Sequence, residues 1–524
     1  MSRSSTERAT ELSLVEMLRW GWRQLTSMRT ALLLLLLLAV AAVPGSFIPQ
    51  RGVDARAVQT YYVEHPKLAP VLEKIGGFSV FSSVWFSAIY LLLMVSLVGC
   101  ILPRIRVYAR ALKARPPKAP RNFSRLPASA ELETDKSVDE VLTAARRLVG
   151  RARTDVVIDG DVGELRAEKG YLREAGNLLF HTSIVFVLIG VAIGSLWGYR
   201  GTVIVVEGQG FANSLSQYDE FSSGTLFNPE TDLSPWSLRL DDMSTKFYVK
   251  GSQRGAPREF KATGTFSEAG SAKDHDFKIR VNHPLSVGRE QVFLVGQGYA
   301  PVIRVTDSSG EVVFDSAVPF LPADATYTST GVVKVPDADG QQLGFQGFFL
   351  PTAFSASEDE ASISVFPGAL NPRIGMNLWV GDLGMDDGKS QSVYALNTDK
   401  MEVVKDGDKK FRVDLGPGQS QALPGGGKIE FVELKQFARL QIGHTPLVWL
   451  PLVAVTASIL GLMGSLLVRP RRTWVRARRV GSRTVVEVAA LDRVPRDDLP
   501  ADLAELLDGL LAELGPDSYL KEDS

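Results

Sequence analysis

Four apolar stretches, three ahead of a long polar segment and one behind it, constrain this 524-residue chain more than any other feature. They cover residues 30–48, 84–103, 176–197 and 446–468. Each is close to the roughly 20 apolar residues that cross a bilayer core. A backbone in hydrocarbon must satisfy its own hydrogen bonds, so each stretch reads as a transmembrane α-helix. The predicted fold is an integral membrane protein with four transmembrane α-helices in a 3+1 layout. A large β-rich extracytoplasmic domain lies between the third and fourth, and small cytoplasmic α+β elements complete it. The first stretch also resembles a signal peptide, with a short apolar core over 32–43 and small residues behind it. Against that reading, 29 residues precede it and three more apolar stretches follow. Both readings leave residue 50 outside.

Lysine and arginine near the span ends set the orientation. Arg19, Arg23 and Arg29 precede the first stretch. Arg104, Arg106, Arg110, Lys113, Arg115 and Lys118 follow the second, and Arg469, Arg471, Arg472, Arg476, Arg478 and Arg479 follow the fourth. The loop over 49–83 carries only Arg51, Arg56, Lys67 and Lys74. With four spans, all three basic segments fall on one side. The expected topology is a multi-pass plasma-membrane protein with residues 1–29, 104–175 and 469–524 in the cytoplasm. Residues 49–83 and 198–445 are then outside.

Within the polar parts, residues 137–149 have helical spacing. Ser137 and Glu140 stand where a capping box places them. Short strands are expected over 154–158 and 164–167, so 128–170 reads as a small α+β unit after a proline-rich linker. The segment 198–445 shows short β-branched runs at 202–206, 277–281, 301–306, 312–315 and 428–434, separated by glycine and aspartate turns. That pattern predicts a sandwich or barrel-like domain. In the tail, 484–488 reads as a strand. Leu503, Leu506, Leu507, Leu510, Leu511 and Leu514 form one helical stripe, which either docks on the cytoplasmic unit or binds a partner.

Composition removes several functions. A net charge of -1 gives no basic field for nucleic acid. The single cysteine, Cys100, rules out an internal disulfide, a C-x-x-C-H haem attachment and a cysteine-rich zinc site. The five histidines form no H-E-x-x-H, and neither a nucleophile elbow nor a Walker loop occurs. Glu207-Gly208-Gln209-Gly210 reads as a plain turn. His65, His275 and His283 read as turn residues. His181 lies just inside the third stretch on the inner side, where ionisable residues mark functional sites. It suits either a haem or metal ligand or a hydrogen bond between helices. His444, at the outer end of the fourth stretch, is an interfacial polar residue or a second ligand. A core of about 30 Å separates the two, so they cannot hold one haem together.

Several segments, in order, resemble the ResB/CcsB family of cytochrome c biogenesis proteins (System II), in an unfused, actinobacterial-like form. These are Gly45-Ser46-Phe47-Ile48-Pro49-Gln50, Val84-Trp85-Phe86 with Cys100-Ile101-Leu102-Pro103-Arg104, and Glu174-Ala175-Gly176-Asn177-Leu178-Leu179-Phe180-His181. The others are Val281-Asn282-His283-Pro284-Leu285 with Gly288 and Gln291, Pro446-Leu447-Val448-Trp449, and Arg471-Arg472-Thr473-Trp474-Val475. The resemblance implies a subunit of a membrane haem-delivery and holocytochrome c synthase complex, non-catalytic by itself. It implies transient haem b shared with a polytopic, tryptophan-rich ResC/CcsA-like partner. Apocytochrome c and a thiol-reducing thioredoxin-like protein are the further implied partners, alongside membrane lipid. His181 matches the family's inner axial haem ligand. Arg173, just before the third stretch, suits either a haem propionate or a lipid phosphate. No Trp-Trp-Asp run occurs, so the partner's half is not expected in this chain. Around His444 the family pattern of an acidic residue and Pro-Gly is replaced by Gly443-His444-Thr445-Pro446, so the resemblance carries no haem role to it. The competing readings are a membrane-anchored extracytoplasmic binding or sensor module and an envelope scaffold.

Overall fold

The computed structural model describes residues 13–271, 273–355, 362–385, 393–492 and 499–521. The expected N-terminal segment 1–29 is therefore described from Ser13 onward, and Ala272 of the expected turn before His275 lies outside the described residues. The chain divides into two compact units. One comprises residues 1–191 with 448–524, the other residues 192–447.

Among the described residues, four helices are long and apolar enough to cross a membrane. The first span, Met28–Phe47, begins at Ser27, whose hydroxyl accepts from the Thr30 N–H. An amphipathic helix, Leu14–Leu25, precedes it. The second span, Val84–Lys113, runs ten residues beyond the expected end at 103. Pro103 stands inside it, because losing one N–H does not stop a helix whose next turn is built from good helix formers. At about 1.5 Å per residue this helix is roughly 45 Å long, against about 30 Å for the apolar core of a bilayer. The third span is Leu172–Trp197 and the fourth Trp449–Leu467.

The spans pack through small residues. A Cβ on Gly461 would lie 2.6 Å from the Phe180 nitrogen, and one on Gly176 would lie 2.7 Å from the Gly461 carbonyl. The third and fourth helices therefore touch backbone to backbone, as small-residue membrane interfaces do. On the other pair, Ser96 donates to the Leu25 carbonyl at 2.6 Å and Cys100 Sγ to that of Thr26 at 2.9 Å. The lone thiol thus fastens the second helix to the corner before the first. In the loop after the first span, the Gln50 amide donates to the Ile48 and Gly77 carbonyls and accepts from the Val80 N–H. That gives the glutamine of the first motif a structural task.

The rest of this unit is one antiparallel six-stranded sheet. Its order is Arg153–Asp159, Val162–Lys169, Arg471–Val480, Arg483–Asp492, Ala128–Thr134, Tyr519–Leu520. The helix Val138–Leu148 carries the expected capping box between Ser137 and Glu140. With Leu499–Leu514 it covers a core that includes Leu142, Leu165, Val475, Val486, Leu503, Leu507 and Leu510. The leucine stripe docks on its own chain. Sequence reading missed the strand Arg471–Val480. Its arginines read as juxtamembrane charge, but Val475 and Ala477 are fully buried, and Arg471, Arg472 and Arg476 pair with Asp492, Glu168 and Glu487. This strand pairs residue for residue with Val162–Lys169, Val475 lying opposite Leu165. The strand entering the third span and the strand leaving the fourth are therefore neighbours. Gly170 turns the first of them into its helix at φ +76°, where a Cβ would strike the Arg469 carbonyl.

Burial alone would raise the Glu168 carboxyl, but Arg153 and Arg472 outweigh it and hold it below the ordinary range. A carboxylate lowered on folding stabilises above its unfolded pKa, about 4.3. That contribution disappears as pH falls through the lowered folded value. Acid melts followed by circular dichroism are expected to show Glu168→Gln losing less stability than the parent between pH 5 and pH 3, and a parallel pair of curves would contradict this.

The second unit is mostly β. A seven-stranded sheet is built on two 17-residue strands, Glu290–Thr306 and Lys428–His444, paired antiparallel along their length. One end of this pair, with Val292, Leu294, Leu440 and Ile442, packs on a four-stranded sheet. The other end, with Ile303, Val305, Ile429 and Phe431, packs on a six-stranded sheet. The strands expected at 301–306 and 428–434 are halves of these long ones. Gly296 and Gly298, beside bulges at 294/296 and 302/303, interrupt the alternation. The Glu207–Gly210 corner is a turn, as expected. Its Glu207 carboxylate accepts from the Met243 and Gln436 N–H groups at 2.9 and 2.8 Å.

Candidate functional site

His181 stands nine residues into the third span, half-buried. Its Nδ1 lies 2.9 Å from the Asn177 carbonyl, one helical turn back. A carbonyl only accepts, so Nδ1 carries the proton and donates. The neutral ring then keeps its lone pair on Nε2, the state in which imidazole binds a metal. The Phe180 ring meets it edge-on at 5.0 Å. Among the described residues, no group of three or more His, Cys, Asp or Glu side chains is placed to hold a bare ion. A single imidazole instead suits a metal already held by a macrocycle, with a second ligand supplied from elsewhere.

Arg173 is on the same helix, eight residues earlier, or about 12 Å along the axis. Its Nε donates to the Ser465 carbonyl at 3.1 Å. Ser465 is in the last turn of the fourth span, so the guanidinium sits at the negative end of that helix. The Glu174 carboxylate receives Arg104 Nη2 at 3.2 Å, tying the third span to the second.

His444 belongs to the second unit and ends the strand Lys428–His444, opposite Tyr199. Its Nδ1 meets the Arg289 carbonyl at 2.8 Å, which again leaves Nε2 unprotonated in the neutral ring. The structure thus fixes its tautomer in the same way as that of His181. The expected signature at 281–291 forms a tight turn and hairpin: Asn282 has φ 62° and Gln291 donates to Ser286 Oγ. The next strand opens on Glu290, which is fully buried. Neither Glu290 oxygen has a hydrogen bond, and Arg289 Nε lies 3.5 Å from Oε1. Burial, then the Glu290 charge, pushes the nearby Tyr199 phenol up to about 12. Sequence reading missed Glu290; the signal available was an Arg-Glu pair opening an apolar strand. His275 begins a strand with its ring 5.4 Å from Phe266, and His283 Nδ1 meets the Val281 carbonyl at 3.1 Å in its turn. His65 caps a short helix end against Tyr61.

These features define a class: a chain with four candidate membrane helices among its described residues, a β-rich insert between the third and fourth, and one poised imidazole on a candidate span. The chain belongs to the ResB-like family, whose model matches residues 28–504. It is 27% identical over 271 residues to the cytochrome c biogenesis protein CcsB of Nostoc sp. (strain PCC 7120), a match covering 50% of this chain and 54% of that protein. The chain therefore spans about half the length of that relative. It is 26% identical over 351 residues to the protein of the same name from Synechococcus sp. (strain RCC307), covering 61% of this chain and 74% of that one.

Proposed function

We propose that this chain acts in cytochrome c biogenesis, as the subunit of a membrane complex that moves haem b outward and presents it to apocytochrome c. His181 is the inner axial ligand. The observation that carries this is its Nδ1–H bond to Asn177, which keeps Nε2 free to ligate on a helix otherwise almost wholly apolar. The names of the relatives support the pathway. Arg173 holds the fourth helix through Nε, and its Nη groups suit either a haem propionate or a lipid phosphate. His444 is the candidate outer ligand, oriented by the Arg289 carbonyl.

Haem is cargo here: its iron supplies the bond to imidazole, and the chain supplies orientation and charge. A ResC/CcsA-like polytopic protein provides the second ligand and the remaining wall of the path. Thioether formation needs reduced thiols in the apoprotein. Cys100, engaged with the Thr26 carbonyl, is a poor reductant for them, so a thioredoxin-like protein completes the set.

Pairing of the strand before the third span with the strand after the fourth favours both lying on one side of the bilayer. The arginines at 19, 23, 29, 104, 106 and 110 favour that side being the cytoplasm. The 192–447 unit is then outside. Haem staining of membranes from a strain lacking this chain tests the function. Loss of the covalently bound haem bands is expected; normal bands would instead support a sensor or a scaffold.

A further inference from the structure

A cavity of about 140 Å³ opens in the first unit where the C-terminal end of the second span meets the corner before the third and the strand after the fourth. Five cations, Arg153, Lys169, Arg173, Arg471 and Arg472, and two carboxylates, Glu168 and Glu174, are in its wall. The charges around it do not cancel. Glu168 is shared by Arg153 at 2.5 Å and Arg472 at 3.1 Å. Arg471 faces Asp492 and Asp502. Arg173 gives its Nε to a neutral carbonyl. Among the described residues, neither Lys169 nor Arg173 has a carboxylate partner.

Arg153 donates through Nη1 to the Ala111 and Leu112 carbonyls and through Nη2 to Glu168, but its buried Nε has no acceptor. That N–H is sealed from solvent, so Arg153 adds positive charge to the wall rather than a contact.

The depth of the site narrows the ligand. Arg173 lies three residues before the apolar stretch at 176 and Leu112 nine residues after the one ending at 103. At 1.5 Å per residue that is between about 5 and 13 Å beyond the apolar core. This is the level of the polar headgroups and the water against them. One water needs about 10–15 Å³ of such volume, so the cavity has room for a phosphate and its ester oxygens.

We propose that this cavity binds the phosphate of an anionic membrane lipid, such as phosphatidylglycerol or cardiolipin, through Lys169 and Arg173. Cationic pockets between spans recognise such headgroups. The bound phosphate bridges the second, third and fourth spans at one level. A haem propionate presents similar anionic oxygens, so the test separates the two.

The full chain, released from nanodiscs made of zwitterionic lipid doped with phosphatidylglycerol or cardiolipin, is analysed by native mass spectrometry. Preferential retention of the anionic lipid is expected. It should weaken about fivefold in Lys169→Ala and return in Lys169→Arg. Lys169 has an exposed side chain, so the variant is expected to fold, and an unchanged melting curve checks this. Equal retention of zwitterionic and anionic lipid by the parent overturns the proposal. So does a Lys169→Ala chain that keeps its lipid but loses haem when co-expressed with its partner, since the cavity would then serve a propionate.

Discussion

His181→Gly, co-expressed with the partner subunit, is expected to lose the haem absorption band of the purified complex, and added imidazole is expected to restore it. The substitution removes the only ring on this helix that is held with a free Nε2. It leaves a space that a free imidazole can enter. Glycine in a helix interior costs about 1 kcal/mol relative to alanine, so His181→Ala is the necessary companion. It should lose the same haem without the backbone penalty and should be rescued less well, because its methyl group fills part of the space. His181→Met should retain some haem with a shifted spectrum, since a thioether is a weaker iron ligand. If both truncations keep haem and the strain keeps its c-type cytochromes, His181 is a structural polar residue and the ligand assignment is wrong.

The second large effect is expected at Gly461. A valine there must place its side chain where the Phe180 backbone now lies, 2.6 Å from a bare Cβ. Backbone atoms cannot give way as a flexible side chain does, so the third and fourth helices must separate. Overpacking of this kind costs about 1–3 kcal/mol. Thermal melts in detergent should show the loss, together with faster proteolysis between the spans. Leu460→Val, one residue away on an exposed face, is the control and should stay within about 0.5 kcal/mol. A Gly461→Val chain that melts with the parent would mean that the two helices are not in backbone contact.

Much of this was legible in the sequence where the signal is local. The Ser137-x-x-Glu140 box and the leucine stripe at 503–514 each specify a helix within a few residues, and both are present as read. Apolar length alone marked the four spans, but it gave no warning that the second would continue to Lys113. That end is fixed by Arg153, whose guanidinium donates to the Ala111 and Leu112 carbonyls from far along the chain. The strand Arg471–Val480 was hidden for the same reason. Its arginines look solvated until Glu168 and Glu487 arrive from other strands. At the candidate site, His181 was visible as an ionisable residue in an apolar run. Its tautomer was not, because it depends on a carbonyl one turn back. Glu290 was invisible because burial of a carboxylate contradicts its residue type, and only the packing of the strand pair puts it inside.

The pairing of Val162–Lys169 with Arg471–Val480 sets a schedule for biosynthesis. At about 5–20 residues per second, the earlier strand waits roughly 15 to 60 s for its partner. Until then it is an unpaired edge, held only by the hairpin with Arg153–Asp159. The sheet can close only after the β-rich insert and the fourth helix have been made. A nascent chain stalled anywhere in the insert keeps that edge open as a ready target for proteases. Sheet closure therefore reports that the insert and the fourth helix have both been made.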